Sequence, residues 1–369
     1  QGFALIDVCR RRFDVALMNP PFGENSKATD QFIRKHYPAT SSNIGSVFVE
    51  RMTQMTNDAG GVGTIIDLAT SIRTSYESFR TTVLYDAMKL VAYAPLGWGV
   101  LEANVETCAY AGLKQYGVHP ASNTCLCADL RDVDAKASTL QSAIASFHAA
   151  NAPDAYRLVD PDDFRSLPNS VPNFSLTSGI RACFRHFDRL EAVADLKTGM
   201  SSGDNERFYK MPWEAPLGSI GDGQRWRYLS NGGDFSPYFR GDREIVNWNA
   251  DGGEIRNHHG STFRSPQYYF RPGLSYSKRC RYLFVQALPA GCVFTDEGQA
   301  VFPKSPEDRD WLCAFLNSRY ARVLVNEFCG QHKSNGYVRL LPVPPIDKER
   351  LGALAREATD ILQADLSWR

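Results

Sequence analysis

The chain has 369 residues, of which 43% are hydrophobic and 22% charged. These are globular values with room for two cores, and no apolar run reaches the length that spans a bilayer. Its 41 basic and 41 acidic residues cancel, so overall charge marks no polyanion binder and only a local concentration of charge could. Nine scattered cysteines do not form a disulfide framework. Cys125 and Cys127 have no second Cys or His pair at zinc spacing, so the expected metal content is none and the thiols read as reduced, in a cytoplasmic protein. The first residues are not a secretory signal, because Arg10-Arg11-Arg12 follows the apolar stretch rather than preceding it.

The first strand is predicted over Asp14–Met18 and ends at a Pro-Pro turn. Ile44, Val47, Phe48, Met52 and Met55 recur at helical spacing, and Asn57-Asp58-Ala59-Gly60-Gly61 stops that helix with glycines. Val62–Leu68 reads as a buried strand, and Tyr76, Phe79, Val83, Leu84 and Met88 as a helix. Leu90–Ala94 and Val105–Ala111 read as two more strands. This alternation predicts a doubly wound α/β sheet. A helix over Ala135–Ala150 and a stretch rich in Pro and Asp, Asn151–Pro172, read as a connector. From about residue 181, aromatics, arginines and glycine turns such as Gly232-Gly233 and Gly252-Gly253 predict an irregular, β-rich domain. Leu351, Leu354, Ala355, Ala358, Ile361 and Leu362 form one stripe of a terminal helix.

The residues that carry chemistry are Asn19-Pro20-Pro21-Phe22, at the end of the first strand, where α/β sheets bind ligands. An exocyclic amine on a base is a weak nucleophile, because its lone pair is delocalised into the ring. The Asn19 carboxamide oxygen and the Pro20 carbonyl can accept its two N–H bonds and favour a pyramidal nitrogen. Two prolines hold that carbonyl without a competing donor. Phe22 can stack on a base swung out of the duplex.

Between Arg240 and Arg281 there are eight Arg or Lys and four Asp or Glu, a local excess of four positive charges. Tyr268, Tyr269, Phe270, Tyr276 and Tyr282 interleave with them. Basic side chains of this kind supply phosphate contacts. Lys278, Arg279 and Arg281 are the leading DNA-binding candidates as a group, with Arg256 and Arg264 beside them. Any single Arg here is equally a solvated charge, and any single Tyr equally a core residue.

The run Phe13–Gly23 resembles motif IV of the amino-methyltransferases. Phe48-Val49-Glu50-Arg51, Gly60–Ile66, Tyr76-Glu77-Ser78-Phe79-Arg80, Leu96-Gly97 and Val105-Glu106-Thr107 resemble the following segments in order. Lys197–Phe208, Asn247–Arg256, Tyr268–Ser277 and Leu288–Phe294 resemble a target-recognition domain. Together, from Phe13 to about Pro345, the succession is similar to the PglX family of BREX (bacteriophage exclusion) adenine-specific DNA methyltransferases and their type IIG restriction–modification relatives. The resemblance implies the C-terminal half of a Rossmann-like core over 1–115, a connector over 116–180, a β-rich α+β target-recognition domain over 181–345 and a terminal helix over 346–369.

It also implies S-adenosylmethionine as cofactor, double-stranded DNA as partner, further phage-defence subunits as possible company, and methylation of adenine N6. Asn19 and Asn43 are then the cofactor-contacting candidates, Asn43 standing where the family carries an Asp. The family's upstream glycine motif has no match. The chain opens on Gln1 rather than Met, so a fragment of a longer enzyme is expected, inactive alone. Two rival readings are a specificity subunit without catalysis and a methyltransferase acting on a protein glutamine.

Overall fold

A computed structural model describes residues 7–102, 104–115, 124–148, 156–241, 243–329 and 331–367. The chain divides into two compact units, Gln1–Arg185 and His186–Arg369. Ala149 and Ala150 at the end of one expected helix, parts of the expected connector (116–123 and 151–155) and Asp242 lie outside the described residues.

The first unit is a six-stranded sheet in the order β1-β2-β4-β3-β5-β6. Its strands are β1 (Phe13–Met18), β2 (Thr56–Asp67), β3 (Met88–Gly97), β4 (Thr107–Lys114), β5 (Cys125–Cys127) and β6 (Arg157–Val159). β1 runs parallel to β2, with Met18 opposite Thr64. β4 is antiparallel to both β2 and β3, and β3 is parallel to β5. The sheet is therefore mixed rather than uniformly parallel. The physical reason is the short connection from β3 to β4, too short for the crossover a parallel pair needs.

β1 is an edge of this sheet, and Val15 and Leu17 on it are 60% and 80% exposed. The glycines expected to stop the helix over Ile44–Met55 lie past its end, inside the β2 ladder. Phe13 pairs with Thr56 but Val15 pairs with Gly61, so β2 carries extra residues there as a bulge. Gly60 is required at that bulge, since a Cβ would lie 2.7 Å from the Asp14 carbonyl oxygen.

Two short helices follow β1, α1 (Asp30–His36) and α2 (Ile44–Met55). The buried face of α2 differs from the predicted stripe. Val49 and Ser46 are fully buried and Thr53 nearly so, while Phe48 is exposed. Small polar residues fit there because their hydroxyls bond to nearby carbonyls. Ser46 donates to the Thr40 and Asn43 oxygens at 2.7 Å each, and Thr53 donates to Val49 O at 2.8 Å. The expected helix at Tyr76–Met88 forms as a 3-10 turn (Thr74–Tyr76), an α-turn (Glu77–Phe79) and a wider helix (Arg80–Ala87).

The segment expected to be a connector contributes to the same unit. β5 and β6 extend the sheet, and helix α3 (Lys136–His148) places Ala143 in a cluster with Ala94, Leu96, Leu126 and Leu130. Helices α4 (Pro161–Ser166) and α5 (Ser178–His186) follow. Strands of three residues are too short to show a period, which is why composition alone suggested a linker.

The second unit holds two four-stranded sheets, β13-β9-β10-β8 and β12-β11-β14-β7. The strands are β7 (Ala194–Lys197), β8 (Tyr209–Lys210), β9 (Trp226–Ser230), β10 (Glu244–Asn247), β11 (Gly273–Ser277), β12 (Gln286–Leu288), β13 (Val293–Phe294) and β14 (Gly298–Pro303). Its core is aromatic, with Phe208, Trp248, Tyr269, Phe294 and Phe302 in one buried cluster. Short helices α6 (Asn205–Phe208) and α7 (Asn249–Arg256) punctuate the strands, and α8 (Arg309–Asn317), α9 (Arg319–Phe328), α10 (Asn335–Val338) and α11 (Lys348–Ser367) follow them.

The terminal helix docks within its own unit, but the foreseen stripe is only partly covered: Leu354 and Ile361 are 52% and 61% exposed. Ala355 is buried, Arg356 pairs with Asp310 at 3.0 Å, and the Lys348 ammonium lies 4.6 Å from the Trp311 ring centre. No helix among the described residues is long and apolar enough to cross a membrane.

Candidate active site

Asn19 follows directly on β1, whose last residue Met18 sits opposite Thr64 of the parallel β2. Pro20 is buried, Phe22 is half-buried, and Asn19 and Pro21 are exposed. The loop is braced by the N-terminus of α2. Ile44 N donates to Gly23 O at 3.2 Å. Gly45 packs against the Pro21 carbonyl, so close that a Cβ would stand 3.2 Å from that oxygen.

Asn43, foreseen as a cofactor contact, has a structural role. It is 6% exposed, and its carboxamide oxygen caps α2 by accepting from Gly45 N at 2.8 Å. Its side chain also bonds the Tyr76 hydroxyl. Burial raises that hydroxyl above its ordinary pKa, and the bond to Asn43 opposes the rise. Asn25 closes the far side of the loop, donating to Ser41 O at 2.7 Å.

A cavity of about 470 Å3 adjoins Asn19. It is lined by Leu17 and Met18 of β1, Gly63, Thr64 and Ile65 of β2, and Ala109 and Tyr110 of β4. Thr64 Oγ1 is buried without a hydrogen-bond partner. The lining carries no charged side chain. S-adenosylmethionine presents an amino-acid carboxylate and ammonium, and burying those needs charged or hydrogen-bonding partners. Asn19, Thr64 and Tyr110 give this lining hydrogen-bonding groups but no charged partner for such a carboxylate or ammonium.

Sequence reasoning attached no role to Arg80, which the structure makes a keystone. It is fully buried. Its Nη1 donates to Thr70 O at 2.7 Å and Arg73 O at 3.0 Å, and its Nε and Nη2 donate to Asn169 O at 3.1 and 2.7 Å. These bonds tie the turn after β2 to the segment after α4. Burial pulls its pKa below the ordinary arginine value.

In the second unit the basic candidates separate. Lys278 and Arg279 both face Glu297, at 3.5 and 3.4 Å, so this group carries less free charge than its sequence suggests. Arg281 lies against the ring of exposed Tyr282 at 5.2 Å. Arg264 is exposed. Arg256 is committed locally, with Nε donating to Asp251 O at 3.0 Å and the guanidinium over Phe263 at 4.1 Å. Tyr269 and Tyr276 are core residues, so these two rings do not form a stacking surface.

The glycines that resembled a target-recognition opening are packing residues. A Cβ on Gly199 would lie 1.9 Å from Phe294 O. Gly203 has φ +75° and backs onto the His259 carbonyl oxygen, 2.9 Å from where a Cβ would be.

Residues 2–90 match the family model for the Eco57I restriction-modification methylase. Over 341 residues the chain is 22% identical to the adenine-specific methyltransferase PglX of Lacticaseibacillus casei (strain Zhang), covering 83% of this chain and 27% of that protein. It is 23% identical over 376 residues to the adenine-specific methyltransferase BrxX of Escherichia coli O9:H4 (strain HS), covering 97% of this chain and 30% of that protein. The chain is thus similar to two proteins named adenine-specific methyltransferases. It spans less than a third of the length of either. Among solved structures, the type IIL restriction-modification enzyme MmeI in complex with DNA aligns over 96% of this chain and 49% of its own, with a TM-score of 0.51 at 11% identity. That likeness is one of fold, and the aligned residues include both units.

Proposed function

We propose that this chain is the amine-holding and DNA-reading part of a site-specific DNA methyltransferase. It acts on adenine N6 with S-adenosylmethionine as donor, in a restriction or phage-exclusion setting. The observation that carries the reading is the braced Asn19-Pro20-Pro21-Phe22 loop at the C-terminal end of β1, in a chain similar to proteins named adenine-specific methyltransferases. The MmeI likeness supports duplex DNA as the partner.

In this reading the Asn19 carboxamide oxygen and the Pro20 carbonyl accept the two N–H bonds of the adenine amine. Taking both protons' hydrogen bonds out of the ring plane localises the nitrogen lone pair. Phe22 stacks on the flipped base, whose extrusion costs a few kcal/mol that stacking partly offsets. α2 keeps the loop from relaxing, because the Gly45 and Ile44 contacts fix the backbone that carries both acceptors. S-adenosylmethionine supplies an electrophilic methyl group, and the lining described above offers its carboxylate and ammonium no charged partner.

The exposed edge of β1 bears on how the cofactor side is completed. Among the described residues β1 pairs with β2 on one side only, so its other edge is free to accept a strand, and its Val15 and Leu17 are 60% and 80% exposed. The test is methyl transfer from labelled S-adenosylmethionine to duplex DNA by the full-length protein and by its Asn19→Ala variant. Label on adenine N6, lost in the variant, is the expected result. DNA binding without transfer in either protein would leave a recognition module instead.

A further inference from the structure

A polar concavity of the second unit lies away from the basic group at Lys278–Arg281 in sequence; the loop chemistry does not use it, and the resemblance to a target-recognition domain covers part of its lining without assigning those residues a role. It has a volume of about 280 Å3. Gln224, Arg225, Arg227, Asn249 and Asp251 line it, on a floor of Trp248 and Phe270. Those five side chains are the types that hydrogen-bond base edges: Arg to guanine, Asn and Gln to adenine, and a carboxylate to the cytosine amine. Mixed sign argues against a phosphate site, where an Asp would repel the ligand and amides would add little.

The scaffold under these groups is rigid. β9 and β10 are antiparallel, with Asn247 opposite Trp226. The ladder continues one step, as Trp248 N donates to Arg225 O at 2.7 Å. Arg225 and Asn249 therefore leave the same end of one hairpin-like ladder. Arg227 is clamped from behind: its Nη1 bonds Gly221 O at 2.8 Å and Asp222 at 2.7 Å, and its guanidinium lies over the Phe270 ring at 4.4 Å. Phe270 itself has φ +64° and is pinned by two backbone bonds of 2.9 Å, from its N–H to Cys292 O and from Gly291 N to its carbonyl.

Strain is concentrated at the same place. Ala250, Asp251 and Gly252 have φ of 49°, 54° and 74° in succession. Left-handed backbone is unfavourable for the two residues that carry a Cβ, and such strain persists where the surroundings over-determine it, often at functional sites. Here Gly252 N bonds Trp248 O at 3.2 Å, and Arg256 straps the Asp251 carbonyl from its seat on Phe263. The strained turn is what sets Asn249 and Asp251 on the rim beside Arg225.

The geometry points to this concavity as a base-reading site, with Arg225 and Asn249 contacting base edges in the major groove of duplex DNA and Arg227 holding the shape. The inference rests on the function proposed above. The test is selection of bound duplexes from a randomised pool by the protein, together with the sequence context of adenines it methylates, for wild type, Arg225→Ala and Asn249→Ala. Both side chains are exposed, so unchanged thermal unfolding is a fair check that the variants fold.

Each variant is expected to relax preference at one base pair, from about 10- to 100-fold to nearly none. Preference elsewhere, and the salt dependence of binding, should stay as in wild type. Unaltered preference in both variants overturns the site while leaving the methyltransferase reading intact. A uniform loss of affinity on all sequences, with a shallower salt slope, makes these residues phosphate contacts and also overturns it. A wild type that neither binds nor methylates DNA refutes the underlying function, and this inference with it.

Discussion

Replacing Arg80 with Met is expected to destabilise the first unit by about 3–5 kcal/mol. Four hydrogen bonds join its guanidinium to three carbonyls, and hydrogen bonds to charged groups contribute about 1.5–3 kcal/mol each. Against their sum stands the desolvation of a fully buried cation, several kcal/mol in effect. Met has a similar apolar reach but no donors, so Thr70, Arg73 and Asn169 would keep buried acceptors without partners, at about 1–3 kcal/mol apiece. Arg80→Lys is the informative control. Its acceptors sit on two edges of the guanidinium, and a single ammonium can serve one edge, so about half of the loss should return. Urea unfolding with peptide-resolved hydrogen exchange is the assay, because Trp98, the first unit's one tryptophan, is exposed and a poor reporter. With a urea slope of about 1–3 kcal/mol per molar, the midpoint of this unit should fall by about 2 M. A loss under about 1 kcal/mol in the Met variant, or a Lys variant equal to wild type, would refute the keystone argument.

Gly199→Ala should cost the second unit about 3 kcal/mol, since its Cβ must displace the Phe294 carbonyl and the adjoining bond from Met200 N to Phe294 O; thermal unfolding of the variant checks this. The first unit should lose stability in alkali. Burial raises the Tyr93 and Tyr110 hydroxyls well above their ordinary value of 10.0 and pushes the Cys108 thiol up from 9.0 to about 12. Groups raised in the folded state contribute fully below their unfolded pKa, and that contribution drains away as pH climbs from about 9 towards 12. Tyrosinate absorbance from these two rings should therefore appear with unfolding rather than before it. Among the cysteines, Cys9 is exposed and six are buried, so an aromatic disulfide reagent should modify Cys9 at once and the six only in denaturant.

The parts of the fold that were legible are those whose elements are long enough to show a period. β1 ends where the Pro-Pro turn demands, α2 spans Ile44–Met55 as its spacing predicts, and the terminal helix forms over Lys348–Ser367. The buried face of α2 was foreseen in part, at Val47 and Met55, and missed elsewhere because hydrophobicity alone ranks Phe48 above Ser46 and Thr53. Serine and threonine can go inside once their hydroxyls bond the preceding turn. The reversal of β4 was hidden for a different reason: alternation of elements says which segments are strands, while direction is decided by the length and shape of the connections between them.

At the site, the legible residues were those whose chemistry is local. Asn19, Pro20, Pro21 and Phe22, the residues proposed to act on the amine, are consecutive and follow β1 directly, so sequence alone places them together. Asn43 shows the limit of that reasoning, because the same carboxamide serves as a ligand donor or a helix cap, and only the 2.8 Å bond to Gly45 N distinguishes them. Charge counting met the same limit at Lys278 and Arg279, since Glu297, distant in sequence, takes up both. The concavity at Arg225 and Asn249 lay beyond any pattern. It exists because a ladder brings residues 24 apart to one end, and because a left-handed turn that no propensity would favour is held there by Trp248 and Arg256. A backbone conformation maintained against its own preference is a tertiary fact, and in this chain it is what distinguishes a surface turn from a candidate reading head.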